Sequence, residues 1–169
     1  MRVLETERLT LRRLHAGDAP FIVELLNDPA WLEHIGDKGV RTLDDARKYL
    51  ETGPLAMYAR LGFGLYLVER KGEGERIGLC GLLKRDSLDH VDLGFAFLPR
   101  FRGMGLAFEA AAGTLNYARA ELGLSRLVAI TSQGNASSAR LLEKLGFRFE
   151  RNVRTDTSGE ELRLYEVEL

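Results

Sequence analysis

At 169 residues the chain is long enough for one domain, 1–169, with a sizeable core, and 24 basic against 25 acidic residues leave a net charge of −1. That balance gives no electrostatic case for nucleic acid or an anionic membrane as partner. One cysteine, Cys80, excludes an internal disulfide framework, and the charged opening Met1–Arg8 has no apolar run behind it to act as a signal peptide, so a cytoplasmic protein is expected.

Arg8 to Leu14 alternates apolar and polar residues and predicts a first strand. Gly17-Asp18-Ala19-Pro20 predicts a helix start with Asp18 as N-cap, carried on by Phe21, Ile22, Leu25 and Leu26 and stopped by Asn27-Asp28-Pro29. Trp31 to Val40 reads as irregular. Thr42 opens a second helix, with Asp45 at capping-box spacing and Ala46, Tyr49 and Leu50 on one face, and Gly53-Pro54 is expected to end it. Phe63–Glu69 and Arg76–Lys84 predict a hairpin around the charged turn at 71–75, and Val91–Leu98 a fourth strand. A helix from about Gly105 to Leu122 presents an alanine-rich stripe, Ala107, Ala111, Leu115, Ala118 and Leu122. Arg126–Thr131 is a fifth strand with both faces buried, and Ala136–Leu145 is another helix. Phe147–Thr155 and Leu162–Glu168 pair around the turn Thr157-Ser158-Gly159. The order β-αα-βββ-α-β-α-ββ is mixed α/β.

The fourth strand runs through Pro99 into Arg102-Gly103-Met104-Gly105-Leu106-Ala107 and then a helix. The orphan N–H groups of a first helical turn, with the helix dipole behind them, make an anion site of backbone. A lone G-x-G also fits a plain strand-to-helix turn, and this one lacks the third glycine of a dinucleotide fingerprint and the Gly-Lys-Ser/Thr of a P-loop. A second strand-to-helix junction, at Asn135 and Ser138, adds a free amide side chain, and two such strand ends suit a long ligand lying between them.

Together these residues resemble the general-control-related N-acetyltransferase (GNAT) superfamily, whose Gln/Arg-x-x-Gly-x-Gly/Ala loop is matched by Arg102, Gly105 and Ala107. The finer resemblance is to the branch of ribosomal-protein N-terminal acetyltransferases. It is carried by Thr6-Glu7-Arg8-Leu9-Thr10-Leu11-Arg12-Arg13, Asp92-Leu93-Gly94-Phe95, Glu109-Ala110, Asn135, Ser138 and Glu143-Lys144-Leu145-Gly146-Phe147. The resemblance implies a central, mostly antiparallel sheet, flanked by helices and splayed between the fourth and fifth predicted strands, with acetyl-CoA in the V. The backbone of Phe97 and Leu98 would pair with the pantetheine. The N–H groups of Arg102, Gly103, Met104, Gly105, Leu106 and Ala107 would hold the pyrophosphate, and Asn135 would reach the pantetheine arm from the other wall. The activity implied is direct acetyl transfer to a primary amine, a peptide or protein N-terminus or a small-molecule amine, by a monomer or homodimer. A non-catalytic acyl-CoA sensor would keep the same loop without needing Asp92.

The attacking amine must be neutral, so a base is required. Asp92 is the candidate; the branch usually carries Glu there, and the shorter Asp suits a water bridge, while a salt-bridged strand carboxylate is the other reading. Many relatives place a tyrosine acid where this chain has Leu142. Ser138 fills the place of a serine in the same branch, either orienting the thiol or serving as a first-turn cap. Glu109 is expected to pair with Arg102 or another cation. His15, His34 and His90 lack metal-ligand spacing, so no metal is expected, and His34 falls in the segment that would wall the acceptor. Cys80 reads as core.

Overall fold

The computed structural model describes residues 1–155 and 159–169. Among these, eight strands form one sheet: β1 (Arg2–Glu5), β2 (Leu9–Arg13), β3 (Leu65–Arg70), β4 (Glu75–Leu83), β5 (Asp92–Phe97), β6 (Arg126–Ser132), β7 (Arg148–Val153) and β8 (Leu162–Glu168). Their spatial order is β1-β2-β3-β4-β5-β6-β8-β7. The helices are α1 (Ala19–Leu26), α2 (Pro29–His34), α3 (Leu43–Leu50), α4 (Ala56–Leu61), α5 (Leu106–Ala120) and α6 (Ala136–Lys144). Of the predicted turn at 157–159, Thr157 and Ser158 lie outside the described residues.

Neighbouring strands are antiparallel except β5 and β6, which are parallel and share one registered pair, Asp92 opposite Val128, with the Val128 N–H donating to Val91 O at 3.0 Å. Beyond that pair the strands part. β5 continues against β4 as far as Phe97 opposite Gly78, and β6 continues against β8 as far as Ser132 opposite Leu162. Each is satisfied on its outer side, so the sheet opens as a V toward its carboxyl ends, as the resemblance implies.

One face of the V is closed by α5. Leu106, Ala110, Ala111, Thr114 and Ala118 are its buried residues, so the helix lies close to β4 through small side chains. Of the predicted stripe, Ala111 and Ala118 are buried and Leu115 and Leu122 pack against the core partly buried, while Leu106, Ala110 and Thr114 are further buried positions. Cys80 lies fully in the core, its Sγ 3.4 Å from Thr114 Oγ1, and burial pushes its thiol up to about 12.

In the N-terminal helical segment the structure departs from several expectations, and Tyr58 of α4 stacks on Tyr66, whose ring also meets Tyr117 of α5. Residues 2–5, for which no element was expected, form an edge strand. Pro29–His34, which begins at the expected stop and runs into the stretch read as irregular, is a short helix, with Asp28 accepting from the Ala30 N–H at 3.1 Å. Thr42 and Asp45 form the expected capping box. Gly53-Pro54 does not end that helix. A wide π-type turn, Glu51–Leu55, takes in Pro54, and α4 follows until Gly62 closes it at φ 80°. The wider turn absorbs the N–H that proline lacks.

Asp18 precedes α1 but makes no side-chain cap. It is a fully buried carboxylate held by Arg12 at 2.8 and 2.9 Å, by Arg76 at 3.2 Å and by the His15 N–H at 2.9 Å. Burial alone would raise its pKa; the Arg12 fork and the His15 N–H outweigh it, and the net shift is downward. The ion cluster ties β2 and β4 to the start of α1.

Candidate functional site

The V opens into a cleft of about 870 Å³. Its walls are β5 from Asp92 to Phe97, the loop and first turn of α5, the end of β6, the start of α6, and Trp31, His34 and Tyr49 from the N-terminal helices.

The loop first takes one tight turn, Pro99–Phe101, in which the Arg102 N–H donates to Pro99 O at 3.1 Å. Arg102 therefore contributes its guanidinium to the cleft rather than the expected backbone donor; its Nη2 lies 3.5 Å from Phe97 O. Gly103 and Gly105 follow at φ 76° and 75°, a region where a Cβ is strained. Gly105 is the N-cap of α5, and no side chain caps that helix. The first intrahelical bond is Glu109 N–H to Gly105 O, so the N–H groups of Gly105, Leu106, Ala107 and Phe108 have no intrahelical acceptor. All four residues line the cleft. The backbone thus builds an anion cradle at the positive end of a fifteen-residue helix.

On β5 the alternation of hydrogen bonds decides which residues face the gap. The Leu98 N–H donates to Ile77 O of β4 at 2.9 Å, and Leu98 O accepts from the Phe101 N–H at 3.1 Å. Both backbone groups of Leu98 are engaged, which corrects its expected role as a partner for an added strand. The intervening residues turn the other way, as Val91 O shows by accepting from β6, so Phe95 and Phe97 present their backbone groups to the gap.

Across the cleft Asn135 is the N-cap of α6, its Oδ1 accepting from the Ser138 N–H at 3.3 Å. The cap is therefore made by the Asn135 side chain, not by the Ser138 hydroxyl. Asn135 keeps its Nδ2 donors, and both residues line the cleft. Leu142, the position of the absent tyrosine, is fully buried in the core.

Asp92 lies at the vertex of the V and is 1% exposed. Its Oδ2 is 3.4 Å from Arg85 Nε, while Oδ1 is buried without a hydrogen-bond partner. Burial raises the carboxyl from its ordinary 3.8 to about 6, with the Arg85 charge pulling in the opposite direction. A carboxylate poised near neutrality in a cleft is suited to accepting a proton.

Sequence reasoning missed several contributors. Tyr49, assigned only to a helix face, lines the cleft, and burial raises its phenol to about 12, so it stays neutral and can donate a hydrogen bond. Arg85 carried no signal in the sequence. Glu109 pairs with a cation as expected, and that cation is Arg8 rather than Arg102. His34 Nδ1 lies 2.8 Å from Ser132 Oγ, bridging α2 to the end of β6. Among the described residues no group of three His, Cys, Asp or Glu is placed to hold a metal ion, and no helix is long and apolar enough to cross a membrane.

A splayed mixed sheet with unbonded N–H groups at a helix start on one wall is a class of cleft that can receive a long anionic ligand. Comparison with known proteins makes the class specific. The acetyltransferase (GNAT) domain family matches residues 8–148, and the chain belongs to that family and is an acetyltransferase. YkkB, an uncharacterised Bacillus subtilis protein, is 30% identical over 156 residues, covering 89% of this chain and 88% of its own. The crystal structure of an Agrobacterium tumefaciens acetyltransferase superposes with a TM-score of 0.81 at 27% identity, over 97% of this chain and 92% of its own. The ribosomal L7/L12 α-N-protein acetyltransferase RimL, in complex with coenzyme A, shares the fold at a TM-score of 0.82 and 15% identity, over 100% and 98%.

Proposed function

We propose that this acetyltransferase moves the acetyl group of acetyl-CoA to a primary amine, a peptide or protein N-terminus or a small-molecule amine, by direct attack while both substrates are bound. The observation that carries the reading is Asp92, a buried carboxylate at the vertex of the cleft with one free oxygen and a pKa near 6.

The chain's residues fit the acyl donor. N–H groups from Gly103 to Ala107 receive the pyrophosphate, with the Arg102 guanidinium beside them. The backbone of Phe97, turned to the gap, pairs with the pantetheine as a neighbouring strand would, and the Asn135 amide reaches the arm from the opposite wall. Asp92 takes the proton of the incoming ammonium, directly or through one water. The freed nitrogen lone pair bonds to the thioester carbonyl carbon, an N–H facing the gap on β5 stabilises the oxyanion, and the C–S bond breaks with its electrons leaving on sulfur. Ser138 orients the departing thiolate. The nitrogen of the adduct gives up its second proton, through water, to the departing sulfur, and the first proton, held by Asp92, passes to solvent, which returns the carboxylate. The protein works as a cytoplasmic monomer or homodimer and needs no metal.

The test is calorimetry with CoA combined with a thiol-release assay on acetyl-CoA across peptides, amino acids, polyamines and aminoglycosides. CoA binding with thiol release on at least one amine is expected. Binding with no turnover on any acceptor refutes the transfer reading, and no CoA binding refutes the assignment of the cleft.

A further inference from the structure

We propose that Arg8, in the turn between β1 and β2, is a positioning residue of the anion cradle: it grips the Met104–Gly105 peptide from behind and thereby aims the Gly105 N–H into the cleft. The inference rests on the reading of residues 103–107 as the pyrophosphate site.

The loop has little of its own to fix it. Two glycines with positive φ flank Met104, and no side chain caps α5. Glycine carries the largest backbone freedom of any residue, so the peptide between the two needs an outside restraint. Arg8 supplies it: Nη1 donates to Met104 O at 2.9 Å. In a trans peptide the C=O and the following N–H point in opposite directions. Holding the Met104 carbonyl toward Arg8 therefore turns the Gly105 N–H away from it. Gly105 lines the cleft, whereas Arg8 is not among its lining residues, so the grip is on the outer side of the loop. The second nitrogen, Nη2, lies behind Gly105, where a Cβ would meet it at ordinary contact distance, 3.4 Å.

Arg8 is in turn locked. Its Nε donates to Glu109 Oε1 at 2.7 Å, its backbone N–H donates to Glu109 Oε2 at 2.8 Å, and the Thr6 hydroxyl donates to that same oxygen. Thr6 also accepts from the Leu9 N–H at 3.2 Å, which shapes the turn. Glu109 stands in the first turn of α5, where a carboxylate complements the helix dipole. A lone cation would be unwelcome at that positive end; paired with Glu109 it is neutralised, and its remaining donor polarises the Met104 carbonyl. A peptide whose C=O is bonded to a cation is a stronger N–H donor on its far side. The clasp joins residues about a hundred positions apart, which is why Thr6, Arg8 and Glu109 look unrelated along the chain.

The experiment compares the whole protein with R8A and R8K by calorimetry, using CoA and pantetheine, which lacks the pyrophosphate. Wild-type protein is expected to bind CoA, and R8A to bind it about tenfold more weakly or worse, the loss of one aimed donor to a charged group. Lysine keeps the charge and the fold but cannot hold Glu109 and the Met104 carbonyl at once, so R8K is expected to lose about threefold to tenfold. Pantetheine affinity should stay within about twofold in both variants, and the thiol-release rate at saturating acetyl-CoA should change less than the apparent affinity. CoA affinity in R8K within twofold of wild type overturns the proposal even where R8A does not fold. Equal fractional losses for CoA and pantetheine also overturn it, because general damage to the fold produces that pattern. Failure of wild-type protein to bind CoA removes the cradle reading itself, whereas normal wild-type binding with unaffected variants removes only the clasp.

Discussion

Asp92→Asn separates chemistry from architecture. Asparagine matches the shape and keeps the site buried, but cannot take a proton at neutral pH. As a general base, Asp92 should contribute about 10²–10⁴-fold, so turnover should fall by that factor with CoA affinity little changed. The wild-type profile of kcat/KM against pH should lose activity below about pH 6, where the carboxyl gains its proton, and the variant should lack that limb. Stability should move the opposite way. The unfolded chain releases this proton near 3.8, while the native protein keeps it until about 6. Between these values the native state binds more protons, so the favourable contribution present below 3.8 disappears as pH rises through 6. At 1.36 kcal/mol per pKa unit, the rise from 3.8 to about 6 corresponds to about 3 kcal/mol. Relative to wild type, the asparagine variant should therefore gain about 3 kcal/mol between acid and mildly alkaline pH, read by urea unfolding across the range. An acid limb that survives in the variant, or a stability difference flat with pH, would refute the assignment of Asp92 as a buried base.

Two further outcomes are expected. Gly105→Glu should weaken CoA binding at least 100-fold in calorimetry, because a Cβ at φ 75° is strained and its carboxylate, on a side chain starting 3.4 Å from the Arg8 guanidinium behind the loop, draws that guanidinium off the Met104 carbonyl; circular dichroism should still show the folded sheet and helices. Asp18→Ala should cost about 3 kcal/mol in urea unfolding at pH 7, since it strips the bidentate partner from the largely buried Arg12 and leaves it Glu69 alone. Because the folded-state pKa of Asp18 is lowered, its contribution is present above the ordinary carboxyl range and fades as pH falls through the folded value, so wild type and variant should converge in acid.

What could be read along the chain was what is local. The Thr42–Asp45 box, the starts of α5 and α6, and the strand running into Gly103 and Gly105 all rest on residues within a few positions of one another. The errors have equally physical origins. Pro29–His34 is too short to show a period, and Pro54 breaks a regular helix but not a π-type turn. Asp18 has the right type and place for a cap, yet Arg12 and Arg76 converge on it from two strands, and charged partners outcompete a backbone N–H. Leu98 fails as a backbone partner because hydrogen-bond direction alternates along a strand, and only the register against β4 tells which residues face the gap. Asp92 was identifiable as a candidate, but its contact with Arg85 needs the register of β4 against β5, which sets Leu83 opposite Asp92, and β5 meets β6 only at the Asp92–Val128 pair.

That single pair has a mechanical consequence. The sheet is two hydrogen-bonded plates, β1 to β5 and β6-β8-β7, hinged along a line that passes through Asp92 and Val128. A flexing hinge moves its rims most and its axis least. The cradle at 103–107 and the amide of Asn135 ride near the rims, where widening and narrowing would admit a bulky ligand and let it go without unzipping either plate. The Asp92 carboxylate sits on the axis, where a given opening of the plates displaces it least.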